Sequence, residues 1–210
     1  MKLLSINTAF SNSDVALFNE NKISTLTLPS SAKQSENILV AIDELLTKNS
    51  VDIKDIDTMA CVVGPGSFTG VRIGIGLVKG IKMAKKDLKL ISICSLDYMA
   101  YISKPQACGD FWCVLNALSG YVFACKYNKE GQRLLEPKMF MGEDIEKISG
   151  KVFGLYDENM EIATDKIKFD ANSLLDYSKY LADKNIYCEE NNFLPIYLRK
   201  SQAEAQLDDK

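Results

Sequence analysis

A glycine-rich segment constrains the fold of this chain more than any other part of its sequence. The segment reads VVGPGSFTGVRIGIGLVKG, and it contains six glycines. Four of them fall within a helical pattern, where each costs about 1 kcal/mol relative to alanine. Close packing of the backbone against a neighbour is the usual compensation for such a cost. The segment therefore predicts a helix that another part of the molecule, or a partner, approaches closely. The four glycines within the helical pattern are Gly70, Gly74, Gly76 and Gly80.

A glycine-rich loop before a helix can also hold phosphate, and this segment opens with such a candidate loop. Its residues are Gly64, Gly66, Ser67, Thr69 and Gly70. The loop does not fit the phosphate-loop pattern, because three residues separate Gly66 from Gly70 and no lysine follows. The Gly-x-Gly-x-x-Gly pattern of dinucleotide sites fails as well. A nucleotide site therefore stays open only as an alternative to close packing.

The helix after this loop is apolar on two opposite sides. At 3.6 residues per turn, one side carries Gly70, Ile73, Leu77, Gly80, Ile81 and Ala84. The opposite side carries Val71, Ile75 and Val78, and the positions between the two sides are Arg72, Gly76, Lys79 and Met83. One apolar side can cover the protein's own sheet, and the other needs a second cover. Two interpretations stay open, a helix buried within its own monomer and a helix-on-helix subunit interface.

The preceding helix, predicted from about Ser35 to Lys48, also has an apolar residue on its polar side. Val40 falls beside Glu36 and Asp43, away from the apolar stripe. A lone exposed valine is ordinary, but beside a helix with two apolar sides it favours an interface. The apolar stripe itself comprises Ile38, Ala41, Ile42, Leu45 and Leu46.

The chain has no histidine, which removes the commonest catalytic designs. Ser-His-Asp triads, Cys-His pairs and histidine metal ligands are all excluded. None of the six cysteines forms a Cys-x-x-Cys pair, so we expect small buried side chains and no zinc site. The 210 residues are 47% hydrophobic and carry a net charge of −3, so no overall attraction to nucleic acid is expected. With no apolar run of membrane-spanning length and an early polar turn at the N-terminus, we expect a cytoplasmic protein without a membrane contact.

The two halves of the chain open with a similar pattern. LLSINTAFSNSDVALFNENKIST and WCVLNALSGYVFACKYNKEGQRL each give an apolar strand, an Asn-containing turn and a second strand. An internal duplication would place Asn7 and Asn116 at equivalent positions, although two unrelated hairpins can look this alike. The connector SKPQACGD suggests a division into 1–104 and 105–210, of which the second contains a smaller folded part and a C-terminal tail.

The motif GPGSFTGVRIGIGLVKGIKMA resembles the signature of the TsaB (YeaZ) family. The segments LLSINTAFSNSDVAL, QSENILVAIDELL, CSLDYMA and PIYLR match that family's pattern in the same order. The resemblance implies an α/β, two-lobed fold of the actin-like and sugar-kinase-like ATPase type. It also implies duplicated βββαβα units, of which the second is reduced.

The resemblance further implies a non-catalytic role in making threonylcarbamoyladenosine in tRNAs that read codons starting with A. The implied partners are the catalytic TsaD paralogue and the TsaE ATPase, with tRNA reached only through the complex. We expect a homodimer when the chain is alone, no tightly bound cofactor, and ATP or ADP only in the assembled complex. Ile75→Glu is expected to separate that dimer. The expected partner-binding residues are Glu36, Val40, Asp43, Val71, Arg72, Ile75, Gly76, Val78, Lys79 and Met83.

Three positions depart from the family pattern. Asn7 and Asn116 stand where the family usually has aspartate, and Gln34 stands where a histidine is common. Strand-end aspartates organise Mg²⁺ in the ATP-hydrolysing members of the fold, and magnesium prefers anionic oxygens to a neutral amide. These departures weigh against the second hypothesis, a free-standing nucleotide-binding phosphotransferase or ATPase of the same fold.

Five lysines cluster at the end of the glycine-rich helix. They can form a solvated helix end that is stabilised by the macrodipole, or a positive patch that helps the complex hold tRNA. The five are Lys79, Lys82, Lys85, Lys86 and Lys89.

Overall fold

The protein divides into two compact units. Its computed structural model describes residues 1–31, 33–117, 119–146, 150–155 and 160–198. Unit 1 comprises Met1–Cys94 and Asp170–Pro195, and unit 2 comprises Ser95–Phe169 and Ile196–Lys210. The helices are α1 (Gln34–Lys48), α2 (Phe68–Ala84), α3 (Ser95–Ser103), α4 (Gly142–Glu146) and α5 (Ala171–Asp183).

Unit 1 is built on a five-stranded mixed sheet. The strands are β1 (Lys2–Asn7), β2 (Ser13–Asn19), β3 (Lys22–Leu28), β4 (Thr58–Gly64) and β5 (Lys89–Cys94), in the order β3-β2-β1-β4-β5. The central strand β1 pairs antiparallel with β2 and parallel with β4, and β4 pairs parallel with β5. Every residue of β4 is buried, as expected for a strand that is covered on both faces.

Helices cover both faces of this sheet. Helix α1 buries the five residues of its predicted apolar stripe and contacts β2 and β3, and α2 packs on β4. On the other face α5 contacts β1 and β2, and Lys179 lies over the ring of Phe18. The strand register agrees with helices on opposite faces. Phe18, beneath α5, pairs with Leu3, and Cys61, beneath α2, pairs with Ile6. Leu3 and Ile6 are three residues apart on β1, so their side chains point to opposite faces of the sheet.

Unit 2 repeats the strand order of unit 1. Its strands are β6 (Phe111–Asn116), β7 (Tyr121–Tyr127), β8 (Lys138–Met141), β9 (Lys151–Leu155) and β10 (Asp165–Ile167), in the order β10-β9-β6-β7-β8. As in unit 1, the first three strands are antiparallel neighbours and the last two are parallel. Helix α3 contacts β6 and β7. The Asp97 carboxylate on α3 accepts hydrogen bonds from Tyr127 and Arg133.

The common strand order confirms the predicted duplication. Asn7 and Asn116 each end the central strand of their sheet, so they occupy equivalent positions. Among the described residues, α4 comprises five residues where α1 comprises fifteen.

The two units are not continuous in sequence, in contrast to the predicted division at 104/105. Helix α3, which follows β5, belongs to unit 2, and α5, which follows β10, belongs to unit 1. Helix α5 joins unit 1 because its apolar face buries Leu174, Leu175 and Leu181 against the sheet formed by β1 and β2. A division read from connectors along the chain cannot detect such an exchange of helices.

Several other expectations were also tested by the fold. Ser95 begins α3, and its buried hydroxyl has no hydrogen-bond partner among the described residues. Four cysteines are buried as predicted, whereas Cys108 is exposed and Cys188 is half-buried. Within the described ranges, no helix has the length and apolarity needed to cross a bilayer. Leu118, next to the Asn116 turn, and the tail from Arg199 onward lie outside the described residues.

Candidate partner-binding face and glycine loop

The glycines at the start of α2 allow the helix to approach the chain just beyond β1. A Cβ atom at Gly70 would overlap the carbonyl oxygen of Thr8, and one at Gly66 would lie 2.6 Å from that of Ala9. A Cβ atom at Gly74 would lie 2.6 Å from Thr8 Oγ1. Real Cβ atoms avoid such distances, so any larger residue would force the helix away from the sheet.

Hydrogen bonds hold this close contact in place. The backbone N–H of Ser67 donates to the Ala9 carbonyl at 2.8 Å, and Thr8 Oγ1 donates to the Gly70 carbonyl at 2.7 Å. The Ser67 hydroxyl caps the helix by accepting from the N–H of Gly70 at 3.2 Å. The glycine loop therefore packs against the protein's own backbone at Thr8 and Ala9.

Gly64 and Thr69 complete the glycine loop. Gly64 has a φ of +107°, a conformation that other residues adopt only with strain. Thr69 is exposed on the first turn of α2. Beneath the helix, burial raises the pKa of Cys61 to about 12, so this thiol is neutral and serves in packing.

A buried polar pair lies at the carboxyl end of β1. Asn7 Nδ2 donates to Asp14 Oδ2 at 3.3 Å, and Asn7 Oδ1 accepts from the N–H of Ala9 at 3.0 Å. Thr27 donates to the other oxygen of Asp14 at 2.7 Å. Sequence reasoning missed Asp14, although the hairpin register that pairs it with Asn7 was available from the predicted strands.

Gln34 ties the first turn of α1 to the same region. Its Nε2 donates to the Phe10 carbonyl at 2.8 Å, and its Oε1 would lie 3.2 Å from a Cβ atom at Gly70. Gln34 therefore joins α1 and α2 to the chain beyond β1. Among the described residues, no three cysteine or carboxylate side chains gather as a metal site.

The predicted face of α2 needs correction at three positions. Val71, Ile75 and Val78 were expected to face a partner, but all three are buried in unit 1. The cause is the close contact at Thr8, which turns the side that carries Gly70, Gly74 and Ile75 toward β4. Because α2 is apolar on two sides, the sequence pattern could not show which side the sheet would cover.

The outward side of α2 combines open glycines with apolar residues. Nothing lies within 4 Å of a Cβ atom at Gly76 or at Gly80. Ile73 and Leu77 are half-buried between them, and Met83 is 68% exposed. On α1, Leu39 and Val40 are 60% and 63% exposed. We call the outward surface of α1 and α2 the helix face, and it comprises Leu39, Val40, Ile73, Gly76, Leu77, Gly80 and Met83.

The charged residues predicted on this face are exposed as well. Glu36 pairs with Lys33 at 3.0 Å, and the Arg72 guanidinium lies 3.8 Å from the centre of the Phe68 ring. Asp43 is exposed, and Lys79 is half-buried. Sequence reasoning missed Leu39 and Phe68, which were assigned neither to the partner-binding face nor to the glycine loop.

The lysines at the end of α2 are largely engaged within unit 1. Lys82 Nζ donates to the carbonyl oxygens of Lys86 and Leu88 at 2.6 and 2.8 Å, in the segment that follows α2. Lys85 pairs with Asp87 at 3.2 Å and, by this hydrogen bond, lowers the pKa of that carboxyl. Lys89 lies over the ring of Tyr187.

Known proteins resemble this chain in sequence and in structure. It is 29% identical to the tRNA threonylcarbamoyladenosine biosynthesis protein TsaB of Escherichia coli K12 over 70% of this chain and 62% of that protein. The TsaB of Haemophilus influenzae is 33% identical over 48% of this chain and 42% of that protein. The match thus spans about half the length of these relatives. A Pseudomonas aeruginosa structure, described as an uncharacterized protein with similarity to peptidase YeaZ, superposes with a TM-score of 0.76 at 23% identity. It covers 94% of this chain and 99% of that one.

The two sheets of equal strand order and their helices define a protein of the actin-like fold. The family model "TsaD: tRNA N6-adenosine threonylcarbamoyltransferase" matches residues 27–178, which include α1, α2 and most of unit 2. The chain belongs to this family, and within it to the TsaB (YeaZ) proteins.

Proposed function

We propose that the protein is a non-catalytic partner subunit in the threonylcarbamoyladenosine modification of tRNAs that read codons starting with A. The relatives named as TsaB biosynthesis proteins support the pathway. The observation that carries the proposed role is the helix face, with open space above Gly76 and Gly80.

The two outward glycines favour a partner because nothing in the described part of the chain compensates for them. Gly70 and Gly74 pack against Thr8, whereas Gly76 and Gly80 have no neighbour above them. Each outward glycine costs about 1 kcal/mol relative to alanine in an isolated helix. A helix from another chain that packs closely over them would recover this cost, as small residues do at helix–helix contacts.

The partner that fits this surface best is the catalytic TsaD paralogue. The transferase family model spans both α1 and α2, so a transferase of this family has counterparts of these helices. Two related helix pairs can then pack about a pseudo-twofold axis, and two copies of this chain can do the same about a true twofold axis. We therefore propose a homodimer when the chain is alone, and a heterodimer with TsaD that the TsaE ATPase joins. The tRNA would be reached only through this complex.

The transfer chemistry and any nucleotide are assigned to the assembled complex. Asn7 and Asn116 offer neutral amides at the two equivalent strand ends, where ATP-hydrolysing members of the fold place carboxylates. The glycine loop of this chain is packed against Ala9. These features support a role for ATP or ADP in the complex without tight binding by this chain alone.

Co-purification with a TsaD homologue from the same genome tests the proposal. The unmodified chain should associate at micromolar concentration, and Gly76→Leu should abolish association because it fills the space above α2. Gly109→Leu is the matched control, since nothing lies within 4 Å of a Cβ atom there either. The proposal fails if the unmodified chain does not associate, with or without nucleotide, or if both leucine variants bind equally.

A further inference from the structure

Two cysteines face each other across the central hairpin of unit 2. Cys113 on β6 and Cys125 on β7 are register partners in the antiparallel ladder, and both are fully buried. Directly opposed residues point to the same face of a sheet. The structure holds both side chains as thiols.

The ladder geometry brings the two residues within disulfide range. The N–H of Ala117 donates to the Tyr121 carbonyl at 2.9 Å, which makes these two residues a hydrogen-bonded pair. Hydrogen-bonded pairs alternate along an antiparallel ladder, so Cys113 and Cys125, four residues further from the turn, form another. Such pairs have Cα atoms about 5.5 Å apart, within the roughly 4.4–6.8 Å that a disulfide spans. In unit 1, by contrast, Cys61 pairs with Ser92 and Cys94 pairs with Gly64.

We propose that Cys113 and Cys125 form an intramolecular disulfide site that a peroxide or a diazene oxidant such as diamide closes. With hydrogen peroxide, one thiol loses its proton, and the thiolate attacks a peroxide oxygen and breaks the O–O bond to become a sulfenic acid. The hydroxide that leaves takes up the proton and is released as water. The second thiol then attacks that sulfur, which forms the S–S bond and releases a second water. Each sulfur is oxidised by one electron equivalent, and the peroxide is reduced by two.

The folded sheet protects this site from rapid oxidation. Cys125 Sγ donates to the Leu135 carbonyl at 2.8 Å, in the segment that follows β7. Burial raises the pKa of Cys125 to about 11, so little thiolate exists at neutral pH. Closure therefore requires a local opening of unit 2, and its rate should report on that opening.

Oxidation of the Cys108→Ser variant tests the site, because this change removes the exposed thiol. Treatment with diamide should lower the mass of the intact chain by two hydrogen atoms. The reaction should be slow in buffer and at least tenfold faster in sub-denaturing urea. Dithiothreitol should reverse it. Residues 114–124 contain no lysine or arginine, so trypsin leaves both cysteines in one peptide. Chymotryptic cleavage at Tyr121 separates them for mapping by mass spectrometry.

The expected product is a linked pair of peptides that contain Cys113 and Cys125. The Cys125→Ser change, made in the Cys108→Ser variant, should prevent formation of this product. If that double variant does not fold, mapping of the disulfide in the unmodified chain tests the site instead. The proposal is overturned if the disulfide maps elsewhere. It is also overturned if diamide forms none under urea conditions in which a maleimide labels both cysteines.

Discussion

Asn7 donates a hydrogen bond from Nδ2 to Asp14 Oδ2 at 3.3 Å, across the last register pair of β1 and β2. Both side chains are buried, and Thr27 donates to the second oxygen of Asp14. At this end of the sheet the carboxylate is thus on β2, as Asp14, whereas the family usually has an aspartate at the end of β1. A neutral amide at Asn7 is what a buried carboxylate at Asp14 requires, because it donates a hydrogen bond without adding charge.

Restoring the family's aspartate at position 7 should therefore destabilise unit 1. Asn7→Asp would place two buried carboxylates at hydrogen-bond distance and should cost about 2–4 kcal/mol in the free energy of unfolding at pH 7. Their repulsion would raise a carboxyl pKa in the folded state, so part of the lost stability should return as the pH falls below that raised value. Urea unfolding at pH 7 and pH 5 measures both effects.

The exchanged pair provides the control for this substitution. Asn7→Asp combined with Asp14→Asn restores one carboxylate and one amide, and it should recover more than half of the lost stability. If Asn7→Asp alone is as stable as the unmodified chain at pH 7, the buried pair does not explain the departure from the family pattern.

Two glycines on α2 should respond oppositely to alanine. Gly70→Ala drives a methyl group into the Thr8 carbonyl and should cost about 2–3 kcal/mol, whereas Gly76→Ala adds a methyl in open space and should gain up to about 1 kcal/mol. Thermal unfolding of the two variants measures the difference. Equal effects would contradict the account of close packing by the glycine loop.

Burial changes the expectation for Ile75→Glu. Ile75 is only 6% exposed, so a glutamate there should unfold unit 1 rather than yield a folded monomer, at a cost of about 3 kcal/mol or more. Val40→Glu should instead leave the unfolding midpoint within experimental error and weaken self-association, because Val40 is 63% exposed on the helix face. Circular dichroism and light scattering separate the two outcomes. A folded, monomeric Ile75→Glu variant would refute the assigned orientation of α2.

The elements with one clear apolar pattern could be predicted from the sequence. The stripe on α1 is buried residue for residue as predicted, because its five apolar residues recur at helical spacing on one side. The strands of both hairpins were likewise local features, set by short apolar segments and short turns.

The orientation of α2 and the membership of α5 could not be predicted in this way. The face of α2 depends on Thr8, more than sixty residues away from Gly70 in sequence and joined to it by one hydrogen bond. Hydrophobic periodicity does not distinguish Gly74, which meets Thr8 and Cys61, from Gly76, which meets nothing. Such choices are settled by long-range packing, for which a single sequence gives no signal.

Lys82 should contribute to stability more than its neighbours. Its ammonium donates to two carbonyl oxygens beyond the end of α2, so Lys82→Met should cost about 1 kcal/mol after allowance for its partial exposure. Lys86→Met is the matched control, since that side chain is exposed and should cost less than about 0.5 kcal/mol. Urea unfolding of both variants provides the comparison, and equal midpoints would contradict a stabilising role for the two hydrogen bonds of Lys82.

The same lysines should add little to tRNA binding by the complex. Lys82, Lys86 and Lys89 line a groove with Asp87, Glu189 and Glu190, so charges of both signs meet at this surface. Lys85 is already paired with Asp87. We therefore expect that Lys86→Gln with Lys89→Gln leaves the salt dependence of tRNA affinity unchanged while partner binding stays intact. A lysine that binds a phosphate contributes about 0.7–0.9 to the salt slope, so a fall of that size in the double variant would establish the positive patch instead.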